Sequence, residues 1–211
     1  MEQQRDNREQ MRERVIVAAS KAFLEKGVKA VTMDYVAHKL KMSKRTIYQL
    51  FKDKEALLLA CYEKQHQQDL AMMERIASGA ENVLEALLEI FAYRMRTVGA
   101  LRPSHFEGIS KYDSVYAFRR ATFEQDRQSA IAFMADGVKQ GVFRDGVDFD
   151  LVYVMIDNLI TWVMTSEHFA NNRIDYLFIN STLVVVRGIS TQKGIDIIDR
   201  FLEQHRQALH D

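Results

Sequence analysis

Residues 32–57 contain two short amphipathic segments separated by a three-residue break, and this pattern restricts the possible folds more than any other part of the chain. Apolar residues recur at helical spacing in both segments: Met33, Val36, Ala37 and Leu40 in the first, and Ile47, Leu50 and Phe51 in the second. Thr32 and Ser43 immediately precede the segments, and their hydroxyl groups can accept hydrogen bonds from amides of the first helical turn. The sequence therefore predicts a helix-turn-helix.

The outward side of the second segment is polar and positively charged. If the apolar residues face inward, the other side carries Lys44, Arg45, Thr46, Tyr48, Gln49 and Lys52. A helix with a cationic face rich in hydrogen-bond donors can enter the major groove of DNA. Residues 1–54 also hold 13 Lys or Arg against 7 Asp or Glu, whereas the remainder holds 16 against 22. This segregation is typical of a module that binds phosphate at one end, although charge alone is equally typical of a solvated surface.

The same stretch resembles the tetracycline-repressor (TetR) family of bacterial regulators. The residues that match the family pattern are Thr32, Val36, Ala37, Met42, Ser43, Thr46, Ile47, Tyr48, Phe51, Lys54 and Glu55. Lys41 and Arg45 depart from it, because each stands where the family often has Gly. If the turn requires a left-handed backbone at Lys41, the lysine costs about 1 kcal/mol relative to glycine. The resemblance covers about residues 10–60, and beyond them it is one of architecture.

The resemblance implies a ligand-responsive transcriptional regulator, most often a repressor, that binds a near-palindromic operator of double-stranded DNA as a homodimer. It divides the chain into a DNA-binding domain, 1–54, and a ligand-binding and dimerisation domain, 55–211. We expect base-edge or groove contacts from Lys44, Arg45, Thr46 and Gln49, and phosphate contacts from Thr32, Tyr48 and Lys54. Packing within the motif is the alternative role for Tyr48.

The rest of the sequence indicates an all-α fold, an N-terminal three-helix bundle followed by a larger antiparallel helical domain. The chain has one proline, Pro103, and its glycines lie mostly where helical patterns stop. Besides the helix-turn-helix, we predict helical stretches at about 7–26, 53–77, 82–98, 103–112, 113–140, 148–169, 175–189 and 194–209. The β-branched run Leu183–Val186 is also compatible with a strand, but its helical neighbours and the lack of a partner strand favour a helix.

Eleven of the fourteen residues from Leu151 to Met164 are apolar or aromatic, so nearly the whole circumference of this helix should avoid water. The segment is too short to span a membrane and contains Asp157 and Asn158. It is either a central core helix or a helix packed between its own subunit and a twin. The family resemblance favours the second and implies a homodimer through about 148–169 and 175–189.

The sequence contains no recognisable enzyme motif, such as a nucleophile elbow, a phosphate loop or a dinucleotide fingerprint. Its six histidines and single cysteine, Cys61, show no metal-ligand spacing, so we expect no metal and no cofactor. The polar opening lacks a signal-peptide core, and we expect a cytoplasmic protein. Two other classes remain open: a helical small-molecule-binding or scaffolding protein that has lost DNA recognition, and a small helical enzyme.

Aromatic residues are frequent in the middle of the chain and can either line a ligand pocket or fill the core. The family resemblance favours a pocket. The candidate pocket residues are His66, Tyr93, Phe106, Tyr112, Tyr116, Phe123 and Trp162. Such a site would suit an unknown, mostly apolar small-molecule effector with one or two polar groups.

Overall fold

The computed structural model describes residues 2–99, 101 and 103–204, and within them the chain folds into nine α-helices. These are α1 Glu2–Lys26, α2 Met33–Leu40, α3 Lys44–Leu50, α4 Lys54–Gly79, α5 Val83–Val98, α6 Asp113–Lys139, α7 Phe149–Thr165, α8 Ile174–Ile189 and α9 Gln192–Gln204. Three short 3-10 helices, Pro103–Phe106, Ile109–Lys111 and Glu167–Phe169, lie in the connections. The described residues form no β-strand, and the predicted all-α class is confirmed.

The residues group into two compact units. The first contains Met1–Gln68 and Ser104–Ala121, and the second contains Asp69–Pro103 and Thr122–Asp211. Helices α4 and α6 contribute residues to both units. The first unit is therefore larger than the predicted DNA-binding domain, 1–54. The division of DNA binding and ligand binding at residue 54 stays a prediction.

The core of the first unit is built by α1, α2, α3 and the start of α4. Helix α1 contacts both α2 and α3, and α2 contacts α3, so these three helices form a bundle. Of the helix-turn-helix positions predicted from helical spacing, Met33, Val36, Ala37, Ile47 and Phe51 are buried, and Leu40 and Leu50 are half-buried. Further buried side chains of this core are Val15, Ala19, Ala22, Phe23, Leu57 and Leu58. Removing these apolar groups from water is the main force that holds the bundle together.

The second unit has its own core. Helix α5 packs against α8 and α9, and α7 packs against α8. The largest fully buried side chains are Leu84, Leu88, Val142, Phe143 and Ile198. The rings of Phe91 and Phe178 stack with their centroids 4.4 Å apart. Helix α7 begins at a side-chain cap, because the Asp148 carboxylate accepts a hydrogen bond from the Leu151 amide at 3.0 Å.

Some predicted boundaries are wrong. The stretch 103–112 forms two 3-10 helices instead of one helix, and Gly108 between them adopts a left-handed backbone with φ 84°. The predicted helix 148–169 ends at Thr165, where Ser166 becomes extended. The last helix begins at Gln192, and the predicted residues 205–209 lie outside the described part of the chain.

The run Leu183–Val186 lies inside α8, as the helical interpretation predicted. Leu183 has a strong intrinsic helix preference, and burial of Leu183 and Val186 in the core of the second unit outweighs the weaker helix preference of the valines. Among the described helices, none has the combination of length and apolar character that crossing a membrane requires.

Candidate functional site

Both helices of the predicted helix-turn-helix begin at side-chain caps. The Thr32 hydroxyl accepts a hydrogen bond from the Tyr35 amide at 3.1 Å, and the Ser43 hydroxyl accepts one from the Thr46 amide at 3.0 Å. Replacing such a cap by alanine typically costs about 1 kcal/mol. The first turns of α2 and α3 are therefore fixed locally by residues that the sequence pattern identified.

The turn between α2 and α3 requires a left-handed residue, and Lys41 occupies that position with φ 53° and ψ 38°. It is the single non-glycine residue with positive φ in the described part of the chain. The Met42 amide donates to the Ala37 carbonyl at 2.9 Å, and the Lys41 amide donates to the His38 carbonyl at 3.1 Å, as in a Schellman ending. The turn thus keeps the geometry that glycine favours although a lysine supplies it, at a cost of about 1 kcal/mol.

Helix α3 buries its apolar side and exposes a polar one. Ile47 has no exposed surface, and Phe51 is also buried. We call the opposite side the recognition face: Lys44, Arg45, Thr46, Tyr48, Gln49 and Lys52. Thr46 is half-buried and the other five are exposed, including Tyr48 at 51%. Of the side chains predicted to meet DNA, those of Lys44, Arg45, Tyr48 and Gln49 are therefore accessible on α3.

Two lysines among the predicted contacts are engaged within the protein. The Lys44 ammonium donates to an Asp34 carboxylate oxygen at 2.5 Å, and this hydrogen bond, together with the opposite charge, raises the pKa of Lys44 above its usual value. The Lys54 ammonium donates to the Val28 carbonyl at 2.6 Å and lies 6.0 Å from the Tyr112 ring centroid. Burial lowers the pKa of Lys54. Contact of Lys54 with phosphate stays a prediction. It requires the Lys54 ammonium either to give up its hydrogen bond to the Val28 carbonyl or to donate to both groups.

Sequence reasoning missed the residues that brace α3 from outside the motif. Arg8 of α1 donates to the Gln49 carbonyl at 3.3 Å, and the Arg12 guanidinium lies 5.1 Å from the Phe51 ring centroid. Asp34, which pairs with Lys44, also went unnoticed. The only available signal was positional, because Asp34 and Lys44 both occupy first turns on the polar sides of adjacent short helices.

The predicted pocket residues are divided between the two units. His66, Phe106, Tyr112 and Tyr116 belong to the first, and Tyr93, Phe123 and Trp162 to the second. His66 packs edge-on against Phe118, and Tyr112 packs against the core of the first unit. Tyr116 is 64% exposed and Trp162 is 56% exposed. Their role in ligand binding stays a prediction.

Two open concavities occur in the second unit. One, of about 210 Å³, is lined by Ala77, Ala80, Glu81, Asn82, Val83, Ala86, Phe133, Asp136 and Gln140. The other, of about 320 Å³, is lined by Gly79, Ala80, Glu81, Glu85, Leu88, Glu89, Ile197, Arg200, Phe201 and Gln204. None of the seven candidate pocket residues lines either concavity, and both linings carry more carboxylates than an apolar effector site would need.

Helices α7 and α8 expose large apolar side chains. We call this surface the α7–α8 face, defined by Leu151, Met155, Trp162, Tyr176 and Val184, each of which is at least half exposed. On α7 the three residues are spaced by four and seven positions, which places them on one side of the helix. A contiguous apolar surface on a folded chain commonly marks a contact with another protein.

The helix-turn-helix region also matches known proteins. The model of the family described as bacterial regulatory proteins, tetR family, matches residues 15–61. An uncharacterised HTH-type transcriptional regulator of Bacillus subtilis, YdeS, is 28% identical over an alignment of 147 residues, with 66% of this chain and 72% of that protein covered. The HTH-type transcriptional repressor KstR2 of Mycolicibacterium smegmatis is 24% identical over an alignment of 160 residues, with 72% of this chain and 76% of the repressor covered.

The fold is shared with solved structures. The crystal structure of a transcriptional regulator of the TetR family from Agrobacterium tumefaciens matches with a TM-score of 0.70 and 14% sequence identity, covering 87% of this chain and 100% of that one. At this identity the likeness concerns the fold.

Proposed function

We propose that this chain, which belongs to the TetR family of bacterial regulatory proteins, is a ligand-responsive regulator, acting most simply as a repressor, that binds a near-palindromic DNA operator as a homodimer. Its relatives are transcriptional regulators and not enzymes, so we assign it no catalytic residues. We place it in the cytoplasm, where it has access to DNA. The observation that carries the proposal is the recognition face, polar and exposed on a helix whose other side is buried.

The recognition face has the chemistry that DNA binding needs. Lys44, Arg45 and Gln49 offer donors that match acceptors on base edges in the major groove. Thr32, directly before α2, and Tyr48, the fifth residue of α3, are both exposed, and their hydroxyl groups can donate to phosphate oxygens and set the position of the helix. The exposure of Tyr48 favours this role over packing within the motif.

The α7–α8 face supports a homodimer. Its apolar side chains would leave water if a second copy packed the same two helices against them, and full burial of a Leu or Met side chain contributes about 1.5 to 3 kcal/mol. A twofold pair would present two copies of α3. Half-sites on the operator are then expected one helical turn apart, about 34 to 36 Å, or a multiple of that distance.

Regulation requires a link between the effector and the recognition face. Helix α4 begins shortly after the helix-turn-helix and continues into the second unit. A single helix can therefore link an effector bound in the second unit to the DNA-binding residues. We propose that the effector shifts α4 and changes the spacing of the two recognition helices. A coupling of about 1 to 3 kcal/mol would change operator affinity about 5- to 150-fold.

The test is fluorescence anisotropy with a duplex from the region upstream of the protein's own gene and with a scrambled duplex, at several salt concentrations. We expect the upstream duplex to bind more tightly. Lys44→Ala should weaken binding and reduce the salt slope by about 0.9, because one cation fewer then displaces counterions from the groove. Tyr48→Phe should weaken binding without lowering the melting temperature. Lys21→Ala removes an exposed cation of α1 paired with Glu25 and is the matched control.

Three results would contradict the proposal. The scaffolding alternative would be favoured if neither duplex bound. The assignment of the recognition face would be wrong if Lys44→Ala and Tyr48→Phe bound like the parent at every salt concentration. The coupling through α4 would be wrong if a saturating effector left operator affinity unchanged.

A further inference from the structure

The ion pair between Asp34 and Lys44 lies within the proposed DNA-binding surface. Asp34 is in the first turn of α2, Lys44 is the first residue of α3, and their charged atoms are 2.5 Å apart. Their side chains are 54% and 69% exposed, respectively. A carboxylate is therefore held in solvent against the first cation of the recognition face.

This arrangement changes what Lys44 contributes to DNA binding. A cation next to a carboxylate neutralises the charge of nearby phosphates less than an isolated cation does, so its docking releases fewer of the counterions condensed on the DNA. If the pair stays together, the Asp34 carboxylate is brought close to the phosphates, which repel it. If the pair separates, the contact between Lys44 and DNA replaces an existing hydrogen bond instead of adding one.

We propose that Asp34 is a positioning residue that restrains Lys44 and thereby lowers the affinity of the recognition face for DNA. The inference rests on the proposed function. The base contacts assigned to Arg45 and Gln49 add to operator binding independently of this ion pair. The free energy needed to draw Lys44 away from Asp34 therefore lowers the affinity for the operator and the affinity for DNA of arbitrary sequence by a similar factor.

The test compares Asp34→Asn with the parent on an operator duplex and on a random-sequence duplex of equal length, over about 50 to 200 mM salt. Glu107→Gln is the matched control, because it makes the same change in charge in an exposed ion pair, 3.5 Å from Lys29, that does not involve α3. For Asp34→Asn we expect affinity for the random duplex to rise about two- to fivefold at low salt, the size of an exposed ion pair, with a salt slope steeper by about 0.9. Operator affinity should rise by a similar factor, and Glu107→Gln should change neither slope.

A double-mutant cycle shows whether Asp34 acts through Lys44. In a Lys44→Ala background, Asp34→Asn should have no more effect than Glu107→Gln. Asp34→Ser provides a second variant, and thermal unfolding of each protein shows that the fold is retained.

The inference is overturned if Asp34→Asn changes DNA affinity and salt slope no more than Glu107→Gln does. It is also overturned if Asp34→Asn weakens DNA binding, because Asp34 would then hold Lys44 in a position that favours binding. If the parent binds the operator more tightly than the random duplex while Asp34→Asn changes neither affinity, this inference alone fails. If the parent binds neither duplex, the proposed function fails and this inference fails with it.

Discussion

Helices α3 and α7 each bury one side and expose another, but their exposed sides have opposite chemistry. Helix α3 buries Ile47 and exposes Lys44 and Arg45. Helix α7 buries Val163 and exposes Met155, which is 50% accessible. In α3 the apolar residues are buried and the polar residues are exposed, as expected for an amphipathic helix. Helix α7 is also apolar on the side that faces water.

The difference indicates two kinds of partner. A cationic, donor-rich surface loses little by staying hydrated and gains most from a polyanion whose counterions it can release. An apolar surface gains most from being covered by another apolar surface. The same chain therefore carries one surface suited to DNA and one suited to a second copy of itself, and substitutions on each surface separate these roles.

The largest effect is expected on the α7–α8 face. Replacing Leu151 and Met155 together by Glu would place two carboxylates in the proposed interface, and burying unpaired charges should raise the dimer dissociation constant by more than about 100-fold. Sedimentation equilibrium measures this change. Val17→Glu, at an exposed apolar position of α1, is the control and should leave the dimer intact. A monomeric parent, or a double variant as dimeric as the parent, would show that this surface is not the interface.

The next largest effect concerns the buried side of α3. Ile47→Ala removes a completely buried side chain and should lower the free energy of unfolding by about 2 to 4 kcal/mol, because it leaves a cavity in the first core. Urea denaturation gives the value. Tyr48→Ala, one residue along and half exposed, should cost less than half as much, and equal losses at the two positions would contradict the assigned orientation of the helix.

The exposed side of α3 should matter for DNA alone. The double change Lys44→Ala and Arg45→Ala is expected to weaken binding about 10- to 100-fold at low salt and to reduce the salt slope by about 1.8, with little loss of stability. Lys139→Ala, an exposed cation of the second unit, should leave affinity within about twofold of the parent, since distant surface charges are screened. If the two proteins lost affinity equally, overall charge would account for binding without a recognition face.

The smallest effect concerns two left-handed positions, one in each unit. Lys41→Gly should raise the melting temperature by about 2 to 4 °C, because glycine adopts positive φ without strain. Gly146→Ala, where φ is 76° and no atom lies within 4 Å of the added methyl group, should lower it by a similar amount. Thermal unfolding followed by circular dichroism tests both. A lower melting temperature for Lys41→Gly would mean that the lysine side chain stabilises the turn.

The sequence was most informative where structure is decided locally. Caps at Thr32 and Ser43 follow from short-range hydrogen bonding, and the buried side of α3 follows from helical spacing. The prediction of one helix for 103–112 is wrong, because its periodic apolar residues were given more weight than the breaking effect of Gly108.

Features that depend on long-range packing could not be predicted. Lys44 pairs with a residue of another helix, and Lys54 donates to a carbonyl 26 residues away. Aromatic spacing likewise gave no indication that Tyr116 and Trp162 would be exposed, because a ring on an amphipathic helix can face a core, a cavity or a partner. The pocket residues and the DNA contacts accordingly stay predictions.

The most direct test of the account is selection of duplexes from a random pool by the purified protein, followed by hydroxyl-radical footprinting of the selected sequence. The account predicts a twofold-symmetric sequence with two protected regions whose centres lie about 34 to 36 Å apart, or a multiple of that distance, and loss of enrichment in the Lys44→Ala and Arg45→Ala double variant. Failure to enrich any sequence at low ionic strength, or unchanged enrichment by the double variant, would contradict it.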